Sequence, residues 1–282
     1  GSYSHFHVSP PLFLSFALID DKSILLFADK NKISQKLAGE FERLGIIVLP
    51  YNESYGKISS LRGGSSILVS PCTTSVALYN SIPEHLRIVE DNSIPSILKS
   101  KKNKTEIQNI GKVMVKDGVA LTKFFFYIEN DSGMVPMTEV SLAVKLLELR
   151  SQQIDFLGPS FAPITAYNEH AALPHYSPTP DTVTEIKESG ILLVDSGGQF
   201  MGGTTDLTRT ISLGFPTALQ TKDFTLVLKG HINLALAKFP LGTRGYQIDI
   251  LARQALWMNG LNYGHGTGHG VGFERAVFFA CS

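Results

Sequence analysis

Residues 191–210, ILLVDSGGQFMGGTTDLTRT, constrain this chain more than any other stretch. An apolar run ends on Asp195, glycines follow at 197, 198, 202 and 203, and Asp206, Thr208 and Thr210 then alternate with Leu207, Arg209 and Ile211. Glycine between two such runs predicts a β-hairpin whose alternate residues point to opposite faces. A turn centred between Phe200 and Met201 sets Asp195 opposite Asp206, with Cβ atoms roughly 5 Å apart. Facing carboxylates repel unless a proton or cations lie between them. Divalent metals meet that need, because a two-metal site holds its ions about 3.5–4 Å apart and uses a bridging carboxylate. The competing reading gives each aspartate an ordinary strand-end or turn role, accepting backbone N–H bonds.

A second segment, GHGTGHGVG over 264–272, has glycine at every second position. That spacing opposes a helix and predicts an extended segment approached closely by other backbone or by a ligand. With a period of two, His265, Thr267 and His269 share a face. Neutral imidazole suits Mn, Co or Zn, and carboxylates favour hard ions such as Mn. His175, in the proline-bounded LPHYSP over 173–178, is a third candidate. Its alternative is a loop histidine bonded to backbone.

The rest of the chain bounds the setting. Its 282 residues, 43% of them hydrophobic, suffice for one large domain or a small one followed by a larger one. With 25 basic and 25 acidic side chains there is no global field to hold nucleic acid or an anionic membrane surface. Cys72 and Cys281 are too few for a disulfide framework and read as buried, unpaired thiols in a reducing compartment. The apolar run over 10–19 is too short to span a bilayer and lacks a basic flank, so a cytoplasmic protein is expected. The opening Gly1-Ser2 reads as an expression scar, with the natural start upstream. Strands are expected over 23–28, 45–49 and 66–70, with a helix over 34–44. The basic run 100–104 marks an interdomain connection. Helices are expected over 104–130 and 138–153, the latter capped by Thr138 and apolar at Val140, Val144 and Leu147. Beyond Asp155 strands and glycine-rich loops are expected, with the clearest buried strand over 191–194.

Together the HYSP segment at His175, the DSGGQ and GGTTDLTRT hairpin and the GHGTGHGVG loop resemble the pita-bread metallopeptidases, and among them the long cytosolic Xaa-Pro aminopeptidases. The resemblance runs from about Leu12 to Gly272. It implies an α/β and α+β architecture: a creatinase-like N-terminal α/β domain over 1–100, the second domain of the long type, then an incomplete pita-bread catalytic domain over 101–282. It implies Asp195 as a terminal metal ligand, Asp206 as the bridging ligand and His269 as a ligand of the other metal. His175 would stabilise charge or move protons near the scissile carbonyl, and His265 would line the substrate site. The implied activity removes the first residue from peptides with proline second, using hydroxide on two divalent ions, Mn first and Zn or Co next. The partner is then a peptide, with a homodimer compatible and no role for nucleic acid or membrane. The family's two further ligand glutamates and a further histidine do not follow the loop: Phe278 occupies the histidine position and Glu274 is the last acid. The chain thus reads as abbreviated at both ends and inactive by itself. The alternatives are a non-catalytic relic binding a peptide or partner, and an Xaa-Pro dipeptidase.

Overall fold

The computed structural model describes residues 14–64, 66–131, 136–179 and 181–272. The chain divides into two compact units between Lys101 and Lys102.

In the first unit, β1 (Ser15–Ile19) and β2 (Ile24–Ala28) make an antiparallel hairpin. Its turn is fixed by Asp20, whose Oδ1 accepts the Lys22 and Ser23 amides at 2.8 and 2.6 Å. Helix α1 (Gln35–Arg43) starts at Ser34, whose hydroxyl accepts the Leu37 amide, and ends at Gly45, where φ is 70°. It carries the chain to β3 (Ile46–Pro50), parallel to β2. Then come α2 (Ser54–Ser59), β4 (Ser66–Val69), α3 (Val76–Tyr79), β5 (Arg87–Glu90) and α4 (Ile94–Ser100), with β4 and β5 paired in parallel. Cys72 corrects the expectation of buried thiols: it is exposed and is not a free thiol. Cys281 lies outside the described residues, as do Glu274 and Phe278.

The second unit opens with two helices, α5 (Lys104–Asp131) and α6 (Glu139–Ser151). Asn103 and Glu106 exchange side-chain and backbone hydrogen bonds at the start of α5, and Thr138 and Ser141 do the same for α6. The buried face of α6 is not the expected Val140, Val144 and Leu147. Leu142, Ala143, Leu146 and Leu149 are buried, together with Glu139 and Arg150, while Val144 is exposed. Arg150 enters the core because its Nε meets the Asp117 carboxylate of α5 at 2.6 Å. A count of apolar residues cannot register a buried face that includes paired charges.

Two antiparallel sheets follow, built from β6 (Phe156–Pro159), β7 (Ile164–Tyr167), β8 (Gly190–Ser196), β9 (Gly198–Phe200), β10 (Gly203–Thr204) and β11 (Leu207–Leu213). Their orders are β10-β9-β6 and β11-β8-β7. Leu192 and Val194 of β8 bury against Phe124 and Ile128 of α5 and Leu142 and Leu146 of α6. This packing fixes which face of β8 turns away from the helices, and Asp195 lies on that face.

The segment after the hairpin departs from the expectation of strands and loops. It forms α7 (Ala218–Ala235) and α8 (Gly245–Trp257). Thr217 and Gln220 make a capping box at α7 that was present in the sequence. The helices meet at Gly230, where a Cβ would fall 2.0 Å from the Ala252 carbonyl oxygen.

Candidate metal centre

The hairpin holds Asp195 and Asp206 in a register different from the expected one. Thr208 pairs with Asp195, Thr204 with Gln199 and Gly203 with Phe200, so the turn residues are Met201 and Gly202. Burial of Phe200 decides this: its ring is fully buried, 5.4 Å from that of Phe156, whereas Met201 is exposed. Gly202 supplies the turn's positive φ, 109°. The shift is two residues, one full pleat repeat, so Asp206 stays on the face of Asp195 as its diagonal neighbour. In a regular ladder such neighbours lie roughly 7–8 Å apart, far enough for ions to stand between the carboxylates.

Between the aspartates the strands are pinched together at Gly197. Ser160 donates its amide to the Gly197 carbonyl at 3.1 Å and its hydroxyl to the Thr205 carbonyl at 2.9 Å. A Cβ on Gly197 would come within 1.9 Å of the Thr205 oxygen, so glycine is a requirement of this close approach. The Thr205 hydroxyl accepts the Gly198 amide at 2.8 Å. Asp206 thus follows a segment held through both backbone and side chain.

The electrostatics of the pair are those of buried acid. Burial raises the Asp195 carboxyl above the usual range, a Thr208 hydrogen bond lowers it, nearby Asp206 raises it, and His175 and His269 lower it. Burial also raises Asp206, against the lowering effect of His269. Asp195 Oδ1 is buried without a hydrogen-bond partner. His269 Nε2 lies 3.2 Å from Asp206 Oδ2. Its Nδ1 faces the Gly270 carbonyl at 2.9 Å, an atom that can only accept, so Nδ1 carries a proton. Nε2 therefore either donates a second ring proton to the carboxylate or faces it with a lone pair, in which case a cation must join the two acceptors.

The structure brings Asp195, Asp206, His269 and His175 into one electrostatic neighbourhood. His175 is exposed on a segment fixed from below by Glu139. That buried carboxylate accepts the Tyr167 amide at 2.8 Å, the Tyr176 hydroxyl at 2.7 Å and the Thr184 amide at 3.1 Å, and meets His170 Nδ1 at 2.8 Å. His265 stands on the Tyr263 ring, 4.8 Å between centroids, with its Nδ1 on the Gly266 carbonyl. Thr267, expected to share a face with His265 and His269, gives its hydroxyl to the Asp249 carboxylate of α8. The loop glycines are not crowded: a Cβ at 264, 266, 268 or 270 would meet nothing within 4 Å. Sequence reasoning passed over Thr208, legible in the alternation of TDLTRT, and Glu139, for which a lone acid after a cap gave no signal.

As a donor set these residues fit a divalent ion in chemistry: two carboxylates raised by burial, one with an unpartnered oxygen, and an imidazole nitrogen 3.2 Å from the other. Among the described residues, no three His, Cys, Asp or Glu side chains stand close enough together to hold an ion by themselves. The fit is that of part of a site.

The sequence model of metallopeptidase family M24 matches residues 108–277, well over half of the chain. The chain belongs to metallopeptidase family M24. The model of the creatinase/prolidase N-terminal domain matches residues 8–106. The fold is therefore a creatinase-type N-terminal domain followed by an M24 pita-bread domain. Similar curated proteins include Xaa-Pro aminopeptidase 1 of Dictyostelium discoideum, 39% identical over 267 residues, which are 93% of this chain and 42% of that protein. The probable Xaa-Pro aminopeptidase P of Botryotinia fuckeliana is 39% identical over 272 residues, 93% of this chain and 41% of that one. The X-prolyl aminopeptidase of Caenorhabditis elegans, a cytosolic enzyme with a di-nuclear active site, superposes with a TM-score of 0.88 at 36% identity over 94% of this chain and 44% of its own. Prolidase from Pyrococcus furiosus shares the fold with a TM-score of 0.69 at 23% identity, over 98% of this chain and 78% of its own. This M24 chain spans less than half the length of the curated relatives named here.

Proposed function

We propose that this chain carries part of the active centre of a metal-dependent aminopeptidase that removes the first residue from peptides with proline in second position. The observation that carries the metal half of this reading is His269 Nε2 at 3.2 Å from Asp206 Oδ2, beside an Asp195 oxygen that is buried and unpartnered. The substrate half rests on similarity to Xaa-Pro aminopeptidases at 36–39% identity. Asp195, Asp206 and His269 would hold divalent metal, two ions in the complete centre, with Mn first and Zn or Co next. Bound there, divalent ions supply an acidified water and polarise the carbonyl of the scissile bond.

The chain's own residues have distinct tasks around that chemistry. Thr208, the cross-strand partner of Asp195, lowers its carboxyl and is placed to orient it. His175, exposed and close enough to Asp195 to act on it electrostatically, is suited to move a proton at the scissile carbonyl or the leaving amine. His265, exposed on the Tyr263 ring, would line the substrate side. A peptide is the partner of this reading, the cytoplasm its compartment and a homodimer compatible with it. Prolidases at 20–23% identity support the fold alone, so the dipeptidase alternative gains no observation of its own.

Calorimetric titration of the purified chain with manganese or cobalt tests the ligand assignment. Saturable binding is expected, weakened more than about tenfold by Asp206→Asn or His269→Ala. Equal affinity in both variants and the parent would remove the assignment.

A further inference from the structure

The residues 261–272 that carry His265 and His269 belong to none of the strands of the described residues. One backbone bond, from the Thr204 amide to the Gly272 carbonyl at 3.3 Å, tethers the far end. The glycines at 264, 266, 268 and 270 are open to space rather than packed. Ladder pairing and close packing therefore do not determine where the two histidines stand.

Helix α8 does touch the segment, and through polar side chains. Arg253 donates from Nη1 to the Tyr263 carbonyl at 2.7 Å and to Asn262 Oδ1 at 3.2 Å, and from Nη2 to the His265 carbonyl at 2.8 Å. Its Nε is held by Asp249 Oδ2 at 2.5 Å, one helical turn earlier, and its guanidinium lies over the Tyr263 ring at 4.0 Å. The other Asp249 oxygen accepts the Thr267 hydroxyl. Having spent its proton on Asp249, Thr267 Oγ1 accepts from the Tyr263 hydroxyl at 2.6 Å. Each hydroxyl and each guanidinium nitrogen in this series has an acceptor, and the series ends on a charged pair anchored in a helix. The guanidinium fork is rigid and planar, so bonding two carbonyls two residues apart fixes the path of the backbone between them.

We propose that Asp249, Arg253 and Thr267 are positioning residues: a clasp from α8 that sets the glycine-rich segment and thereby presents the His269 imidazole to Asp206. The proposal rests on the reading of Asp195, Asp206 and His269 as metal ligands. The glycines then leave the backbone able to follow the clasp. The Asp249 carboxyl is held below its ordinary range, first by Arg253 and next by Thr267, so it stays an acceptor for both at neutral pH.

Thr267→Val keeps the shape of the side chain and removes its hydroxyl, whereas Thr267→Ser keeps the hydroxyl. Three readouts apply to both variants and to Arg253→Met: amide hydrogen exchange over 263–270, the imidazole ¹⁵N shifts of His269 without metal, and cobalt affinity with the visible absorption of bound Co²⁺. Thr267→Val and Arg253→Met are expected to speed exchange about five- to tenfold, the size of one ordinary net hydrogen bond. They should also shift the His269 signals and lower cobalt affinity by a similar factor. Thr267→Ser should restore all three. Unchanged exchange in folded Thr267→Val and Arg253→Met overturns the clasp, as does faster exchange with unaltered His269 signals. If the parent binds no cobalt, the ligand reading fails, and the exchange and ¹⁵N results still decide whether the clasp places His269.

Discussion

At the scale of single residues, the chemistry of this chain depends on carboxylates kept where water cannot reach them freely. Asp195 has one oxygen without a partner and a carboxyl that burial pushes above its ordinary range. A raised carboxyl binds its proton more tightly in the folded chain than in the unfolded one. Its contribution to stability is therefore fully present below the unfolded value and is lost as pH rises through the folded one. In the metal-free chain, Asp195→Asn should remove that loss and raise the thermal midpoint at pH 7 by about 2 °C, with a smaller gain at pH 4. Thermal scans at the two pH values in the presence of a chelator read this directly. A lower midpoint at pH 7 would mean that the charge is already compensated by the protein. The same burial explains what was legible here: two aspartates and two histidines in glycine-rich surroundings were readable as a site from residue type and spacing. Thr208 was legible in the alternation after Asp206, whereas Glu139 acts only through neighbours distant in sequence, so nothing beside it could reveal its partners.

At the scale of elements, the hairpin and the α7 and α8 pair each turn on one glycine at a close approach. A Cβ at Gly197 meets the Thr205 carbonyl and the Ser160 hydroxyl, and one at Gly230 meets the Ala252 carbonyl. In each case the obstacle includes backbone, which cannot swing aside as a long side chain can. Gly197→Ala and Gly230→Ala should each destabilise the folded chain by about 1–3 kcal/mol in denaturant titrations. Gly197→Ala should also weaken cobalt binding, because it displaces the strand leading into Asp206; unchanged affinity in folded Gly197→Ala would oppose that reading. The buried Asp117–Arg150 pair makes a parallel case between α5 and α6, where Arg150→Ala leaves a buried carboxylate uncompensated and should cost about 3–5 kcal/mol.

At the scale of the whole molecule, a basic stretch joins the two units along the chain. Lys101 follows α4 and Lys104 opens α5, and both are exposed. Limited digestion with trypsin should cut first at Lys101 to Lys104 and release two resistant fragments. Early cutting inside α5 or β8 with this stretch protected would oppose a domain boundary here. Activity belongs to this scale as well. Among the described residues the three donors do not close up by themselves around an ion, and donors so spaced would hold it weakly and in loose geometry. Hydrolysis of a peptide with proline second should therefore be slow or absent for this chain with added manganese, and much faster for a version extended to the length of its relatives. Equal turnover by the two would show that the donors present are enough. Among the described residues no helix is long and apolar enough to cross a membrane.

The sequence by itself determined what depends on near neighbours. The strand ending at Asp195, the alternation after Asp206, the caps at Ser34 and Thr138 and the helical stretches over 104–130 and 138–153 all follow from residue type and local period. Tertiary structure decided what depends on contacts far along the chain. The hairpin turned at Met201-Gly202 because Phe200 found Phe156 to bury against. The core face of α6 took Glu139 and Arg150 because their partners came from other elements. Thr267 was tied to α8 because Asp249 offered a charged acceptor. The physical reason is common to all three: burying a ring or a charge costs or gains more free energy than a local preference, and only the folded chain shows which partners are within reach.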